Sequence, residues 1–116
     1  MSKSDGNGPR GILFSGRIVR VEHEVAEFPD GQRIPLEIVH HPGGAAVVAI
    51  DEQSRVCLLR QYRHVVGDWL WELPAGKRTP GLAALATARA ELAEEAGLSA
   101  SSWQSLGAIH TSPGIF

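Results

Sequence analysis

Glu91, Glu94 and Glu95 are the residues of this 116-residue chain whose types and spacing could do chemistry. At about 3.6 residues per helical turn, Glu91 and Glu95 stand one turn apart on one face and Glu94 joins them within an arc of ~100°. Three carboxylates so placed repel one another, so they either fan into solvent or gather a cation. Hard oxygen ligands select Mg2+, Mn2+ or Ca2+ over zinc. A second group is Arg60, Gln61 and Arg63 beside Tyr62: two arginines next to an aromatic can hold a phosphate and stack a base, or stand as solvated edge charges. His40 and His41 are adjacent on a strand pattern and point to opposite faces, so they read as polar strand-end residues rather than a metal pair.

The elements that must position these groups follow from periodicity and turn chemistry. Residues 1–10 are polar and Gly-rich and read as a flexible tail. Residues 12–28 alternate as a half-buried strand through Val19, Val21, His23 and Val25, and Pro29-Asp30-Gly31-Gln32 is a turn. Residues 33–41 resume as its antiparallel partner, with Ile34, Leu36 and Ile38 on one side. The run AAVVAI reads as a strand buried on both faces, residues 51–55 as a turn, and residues 56–62 as a further strand with Cys57 in the core. Residues 69–74 form a short strand ending at Pro74, with at least one of Trp69 and Trp71 expected in the core. A loop from Lys77 leads to a helix over residues 82–96, with Thr79 or Gly81 as N-cap, Pro80 near its start and Gly97 as C-cap. On the helical wheel Leu82, Leu85, Ala86, Leu92, Ala93 and Ala96 share one side, and the glutamates fall opposite with Ala84 and Thr87. Arg89 intrudes on the apolar arc, so either the helix is irregular or that long stem snorkels out. Residues 103–109 read as a last strand, and residues 110–114 as a loop.

Composition bounds the function. The length suits one domain, and 43% apolar and 21% charged residues describe a globular chain. A formal charge of −2 argues against nucleic acid or an anionic membrane as the main partner. Cys57 is the lone cysteine and forms no intrachain disulfide, which suits a reducing compartment. The start carries no apolar signal region and no stretch is long enough to span a membrane, so the cytoplasm is the expected location.

Residues 76–98 resemble the signature of the Nudix hydrolases: Gly, five residues, Glu, seven residues, Arg-Glu-aliphatic, one residue, Glu-Glu, one residue, Gly-aliphatic. Gly76, Glu91, Leu92, Glu94, Glu95, Gly97 and Leu98 fall at that spacing. The approach Glu72-Leu73-Pro74-Ala75-Gly76, and Pro113 placed 15 residues after Leu98, look like the ADP-ribose pyrophosphatase subgroup. Two positions depart: Leu82 stands where the family has its first glutamate, and Ala90 where it has arginine. The family's arginine helps orient the carboxylates, and Arg89 is the neighbouring cation available to replace it.

The resemblance implies an α+β fold, a Nudix-type α/β/α sandwich with a mixed sheet, an N-terminal antiparallel hairpin and one Nudix helix. It implies a tail over residues 1–10 and a Nudix domain over residues 11–116. Within that domain, residues 11–42 would supply N-terminal strands at a homodimer interface, and residues 43–116 the core. The subgroup's later strands, helix and catalytic glutamate would lie beyond Phe116, which makes the chain look C-terminally truncated. By the same resemblance Glu91, Glu94 and Glu95 are catalytic, and with the Ala75 carbonyl they hold Mg2+, or Mn2+, on a diphosphate. Arg60, Arg63, Glu72 and Pro113 are the implied substrate contacts. The implied reaction cleaves a nucleoside diphosphate derivative, ADP-ribose to AMP and ribose 5-phosphate. The alternative is a catalytically impaired Nudix-like module that binds a nucleotide or regulates a partner.

Overall fold

The computed structural model describes residues 11–113, and the expected tail over residues 1–10 lies outside them. The chain divides into two compact units, residues 11–42 with 107–113, and residues 43–106.

In the first unit, β1 (Gly11–Ser15), β2 (Arg20–Glu27) and β3 (Arg33–His40) form an antiparallel sheet in that order. The single strand expected over residues 12–28 is therefore two, because the chain reverses where the Gly16 N–H donates to the Val19 carbonyl at 2.8 Å. The register slips between Ile12 and Phe14, leaving Leu13 as a bulge. The turn before β3 is as the sequence indicates: Gly31 has φ 87° and donates to the Phe28 carbonyl, and the Asp30 carboxylate accepts from the Gln32 N–H. Its register pairs Glu22 with Ile38 and Glu24 with Leu36, and Val21 with Val39. The apolar side of β3 thus shares a face with the charged side of β2. That mismatch explains why β2 is half-buried along most of its length rather than alternating.

In the second unit, β4 (Gly44–Ala46) pairs antiparallel with β7 (Ala75–Lys77), and β5 (Leu59–Arg63) with β6 (Asp68–Glu72). Helix α1 (Ala84–Ala96) packs on β4 and β7. The α+β class holds, and every described strand pair is antiparallel. Val47, Ala88 and Leu92 form the core, bordered by Ala45, Ala49, Ala96 and Trp103.

Several expectations change here. The run after Gly44 is not buried on both faces: Ala45, Val47 and Ala49 turn inward while Val48 and Ile50 are exposed, the alternation of a strand covered on one side. Cys57 is half-buried rather than core. The strand expected from Val56 begins at Leu59, because Val56 makes only an isolated bridge to Ile50 that closes the turn. Asp51 organises that turn by accepting from the Gln53 and Arg55 N–H groups and from the Arg55 guanidinium. Trp69 and Trp71 are both exposed, since their register with Tyr62 and Arg60 places all four on the outer face of β5 and β6. Residues 103–109 form no strand. Leu106 and Ile109 stand exposed, so the apolar pattern has no covered face on which to alternate.

Helix α1 starts two residues later than expected. Ala83 is extended, with ψ 152°, so the helix cannot begin before it and the N-cap is Ala83 with no side-chain cap rather than Thr79 or Gly81. The C-terminus ends as expected: Gly97 has φ 66° and donates to the Ala93 carbonyl, and Leu98 donates to that of Leu92. The packed face differs from the wheel. Thr87, Ala88 and Leu92 are buried with Glu91, Glu95 and Ala96 half-buried, whereas Leu82, Leu85, Ala86 and Ala93 are exposed. The helix turns its acidic side partly toward β7, since β4 and β7 rather than the helix itself decide which face is covered.

Candidate functional site

The acidic group is assembled by α1 lying against β7. Gly76 at the middle of β7 allows this approach: a Cβ there would stand 2.2 Å from both Cδ and Oε1 of Glu91. Gly44, across from Lys77 in the paired strand, is also too close for a side chain, with a Cβ falling 2.9 Å from the Gly76 carbonyl oxygen. The two glycines therefore let β4, β7 and the Glu91 carboxylate stack at van der Waals range.

Glu95 is held at both oxygens. Its Oε1 accepts from the Ala75 N–H at 3.0 Å, and its Oε2 from Gln61 Nε2 at 3.3 Å. Glu94 is exposed, one position further round the helix. Desolvation, then Glu95 and Glu94, hold the Glu91 carboxyl above the ordinary carboxylate range, and Lys77 pulls the other way. Glu91 and Glu95 beside a backbone that admits no Cβ offer the hard oxygens that suit a divalent cation, but the oxygens of Glu91, Glu94 and Glu95 do not converge within 4.8 Å of one another as the ligand atoms of Glu22, Glu24 and His40 do.

The implied substrate residues separate. Strand alternation places Arg63 and Glu72 on the same face as Gln61, and Arg60 on the opposite face. Arg63 grips Glu72 with both Nε and Nη2, at 2.7 and 2.5 Å, which lowers the Glu72 carboxyl below its usual range. Arg60 instead lies 5.8 and 5.7 Å from the ring centres of Trp69 and Trp71, beside an edge-on Tyr62–Trp69 contact. Pro113 is exposed in a turn of the other unit. Arg89, the available substitute for the arginine that Ala90 replaces, lies over the Trp103 ring at 5.8 Å.

Two features escaped the sequence reading. One is the contact by which Gln61, grouped above with Arg60 and Arg63, reaches across 34 positions to Glu95; strand alternation from Arg63 was the one available signal. The other is Glu22, Glu24 and His40, whose ligand atoms lie within 4.8 Å of one another. His40 is more than a solvated strand end, since its Nε2 stands 2.8 Å from Glu24, while Arg20 Nε already pairs Glu22 at 2.6 Å.

Two outcomes follow. Gly76→Ala is expected to leave thermal stability within a few degrees, because the flexible end of Glu91 can swing aside, while lowering any cation-dependent turnover about tenfold or more by displacing that carboxylate. Equal losses of stability and turnover would show that Gly76 matters only to packing. The second concerns pH. A carboxyl whose folded value is raised loses its stabilising preference for the proton as pH climbs past the ordinary 4.5, and the loss is complete above the raised value. Metal-free Glu91→Gln should therefore lack a decline in melting temperature that the parent shows over that window. The Arg63–Glu72 pair acts oppositely, losing its contribution as pH falls through the depressed Glu72 value. Parallel melting curves for parent and variant would contradict the Glu91 assignment.

The NUDIX domain model matches residues 40–116. The chain is 41% identical over 104 residues to the ADP-ribose pyrophosphatase of Mycobacterium tuberculosis, covering 89% of this chain and 50% of that protein. It is 39% identical over 103 residues to the methanol dehydrogenase activator of Bacillus methanolicus, covering 89% of this chain and 56% of the relative. The chain thus spans about half the length of these relatives. A crystal structure of an ADP compounds hydrolase superposes with a TM-score of 0.72 at 26% identity, over 99% of this chain and 64% of the other.

Proposed function

The chain belongs to the Nudix family, and from that premise we propose that it serves a hydrolase that cleaves the diphosphate of a nucleoside diphosphate derivative, ADP-ribose foremost, to AMP and ribose 5-phosphate. The observation that carries this is the Glu91 carboxylate drawn against the Cβ-free Gly76, with the Glu95 carboxylate bonded to the Ala75 N–H beside it. Glu91, Glu94 and Glu95 with the Ala75 carbonyl would hold Mg2+ or Mn2+. A divalent ion bound there would neutralise diphosphate charge and acidify a water. The chain's own residues do the rest. Ala75 N–H and Gln61 fix the Glu95 carboxylate, Lys77 offsets the acidic charge near Glu91, and Arg63 keeps Glu72 ionised at the rim. Arg63, on the Gln61 face of β5, would meet a phosphate by leaving Glu72, whereas Arg60 lies over two indoles on the opposite face.

The subgroup's pattern supports a homodimer through the N-terminal strands, and lone Cys57 suits the cytoplasm. Among the described residues no helix is long and apolar enough to cross a membrane. The test is product analysis with the full-length protein. ADP-ribose and Mg2+ should yield AMP and ribose 5-phosphate, and a chelator should stop the reaction. Mg2+-dependent cleavage of other nucleoside diphosphate sugars with ADP-ribose untouched would reject the substrate and keep the class.

A second reading is favoured by Leu82 and Ala90 and by the relative named as an activator of methanol dehydrogenase. On that reading the domain binds a nucleotide or regulates a partner enzyme without turnover. Calorimetric binding of ADP-ribose with no product would select it.

A further inference from the structure

We propose that Gln61 is a positioning residue for Glu95, taking over the orienting task that an arginine at position 90 would perform. The proposal rests on the reading of Glu95 as a cation ligand. Gln61 lies on the α1-facing side of β5, and its Nε2 donates to Glu95 Oε2 at 3.3 Å while the Ala75 N–H donates to Oε1 at 3.0 Å. A carboxylate offers about four acceptor sites, so two hydrogen bonds fix its plane and leave lone pairs for a metal.

The charged alternatives are occupied elsewhere. Arg63, on the same face of β5, is gripped through two nitrogens by Glu72, and Arg89 lies over Trp103. Position 90 itself is an exposed alanine. A neutral amide also suits the task, because it orients the carboxylate without cancelling the charge that would hold the cation. Partners that orient a ligating carboxylate typically change metal affinity by about 10- to 100-fold when removed. The long, part-buried Gln61 contact belongs at the lower end of that range.

The experiment measures Mn2+ dissociation from the full-length protein, following free Mn2+ by electron paramagnetic resonance, for the parent, Gln61→Met, Glu95→Gln and the double variant. Gln61→Met keeps the side-chain length and removes the donor. It should weaken Mn2+ binding about tenfold with a melting temperature within about two degrees of the parent, and it should add nothing in the Glu95→Gln background. Should Gln61→Met fail to fold, Gln61→Asn, with the amide one methylene short of reach, carries the same expectation. Parent-like affinity in Gln61→Met, with Glu95→Gln impaired, overturns the proposal alone. A Gln61→Met loss that persists in the double variant overturns it too, since Gln61 would then act by a route other than Glu95. Parent-like affinity in Glu95→Gln overturns instead the reading on which the proposal rests.

Discussion

Glu95→Gln is expected to lower Mg2+-dependent hydrolysis about a thousandfold or more while leaving the fold intact. A thousandfold corresponds to ~4 kcal/mol of transition-state stabilisation, the scale of a cation's electrostatic contribution at a diphosphate. The substitution is sterically clean. The new amide's oxygen can still accept from the Ala75 N–H, and its NH2 can donate to Gln61 once the Gln61 amide rotates to present its oxygen. What is lost is the negative charge, beside a Glu91 carboxyl that desolvation first, and then Glu95 and Glu94, already hold above the ordinary range. Removing one charge should therefore ease Glu91's ionisation as it weakens cation binding. Measurement requires kcat/KM over a Mg2+ titration together with a melting curve. Full activity at ordinary Mg2+ would sink the site assignment.

Leu92→Ala should have the largest effect on stability, lowering it by about 2–5 kcal/mol. Leu92 is 1% exposed and shares the core cluster of its unit with Val47 and Ala88. Ala88 and the bordering alanines are too small to collapse into the space, so the cavity term adds to the lost transfer energy. A domain with total stability of about 5–15 kcal/mol loses much of its margin, and a melting temperature lower by about 10 °C or more is expected. A shift below about 3 °C would show that these strands and the helix are held by something other than this core.

The sequence by itself determined the parts that depend on local periodicity and backbone restriction. The spacing of Glu91, Glu94 and Glu95, the Gly97 cap, the Pro29–Gln32 turn and the strand ending near Pro74 are all as the residues dictate. Each is decided within a few residues, by φ limits or by 3.6- and 2-residue repeats. Tertiary structure decided which face of α1 is covered. The wheel put the glutamates opposite the packed side, yet β7 lies along Glu91 and Glu95 because Gly76 has no side chain to keep them away. It also decided the exposure of both tryptophans, through the β5–β6 register, and the division of Arg60 from Arg63. Helix start and strand break were displaced by single backbone events, at Ala83 and Gly16. The Gln61–Glu95 contact joins residues 34 apart, and no local pattern encodes such a pair, since it exists only once two elements have been brought side by side.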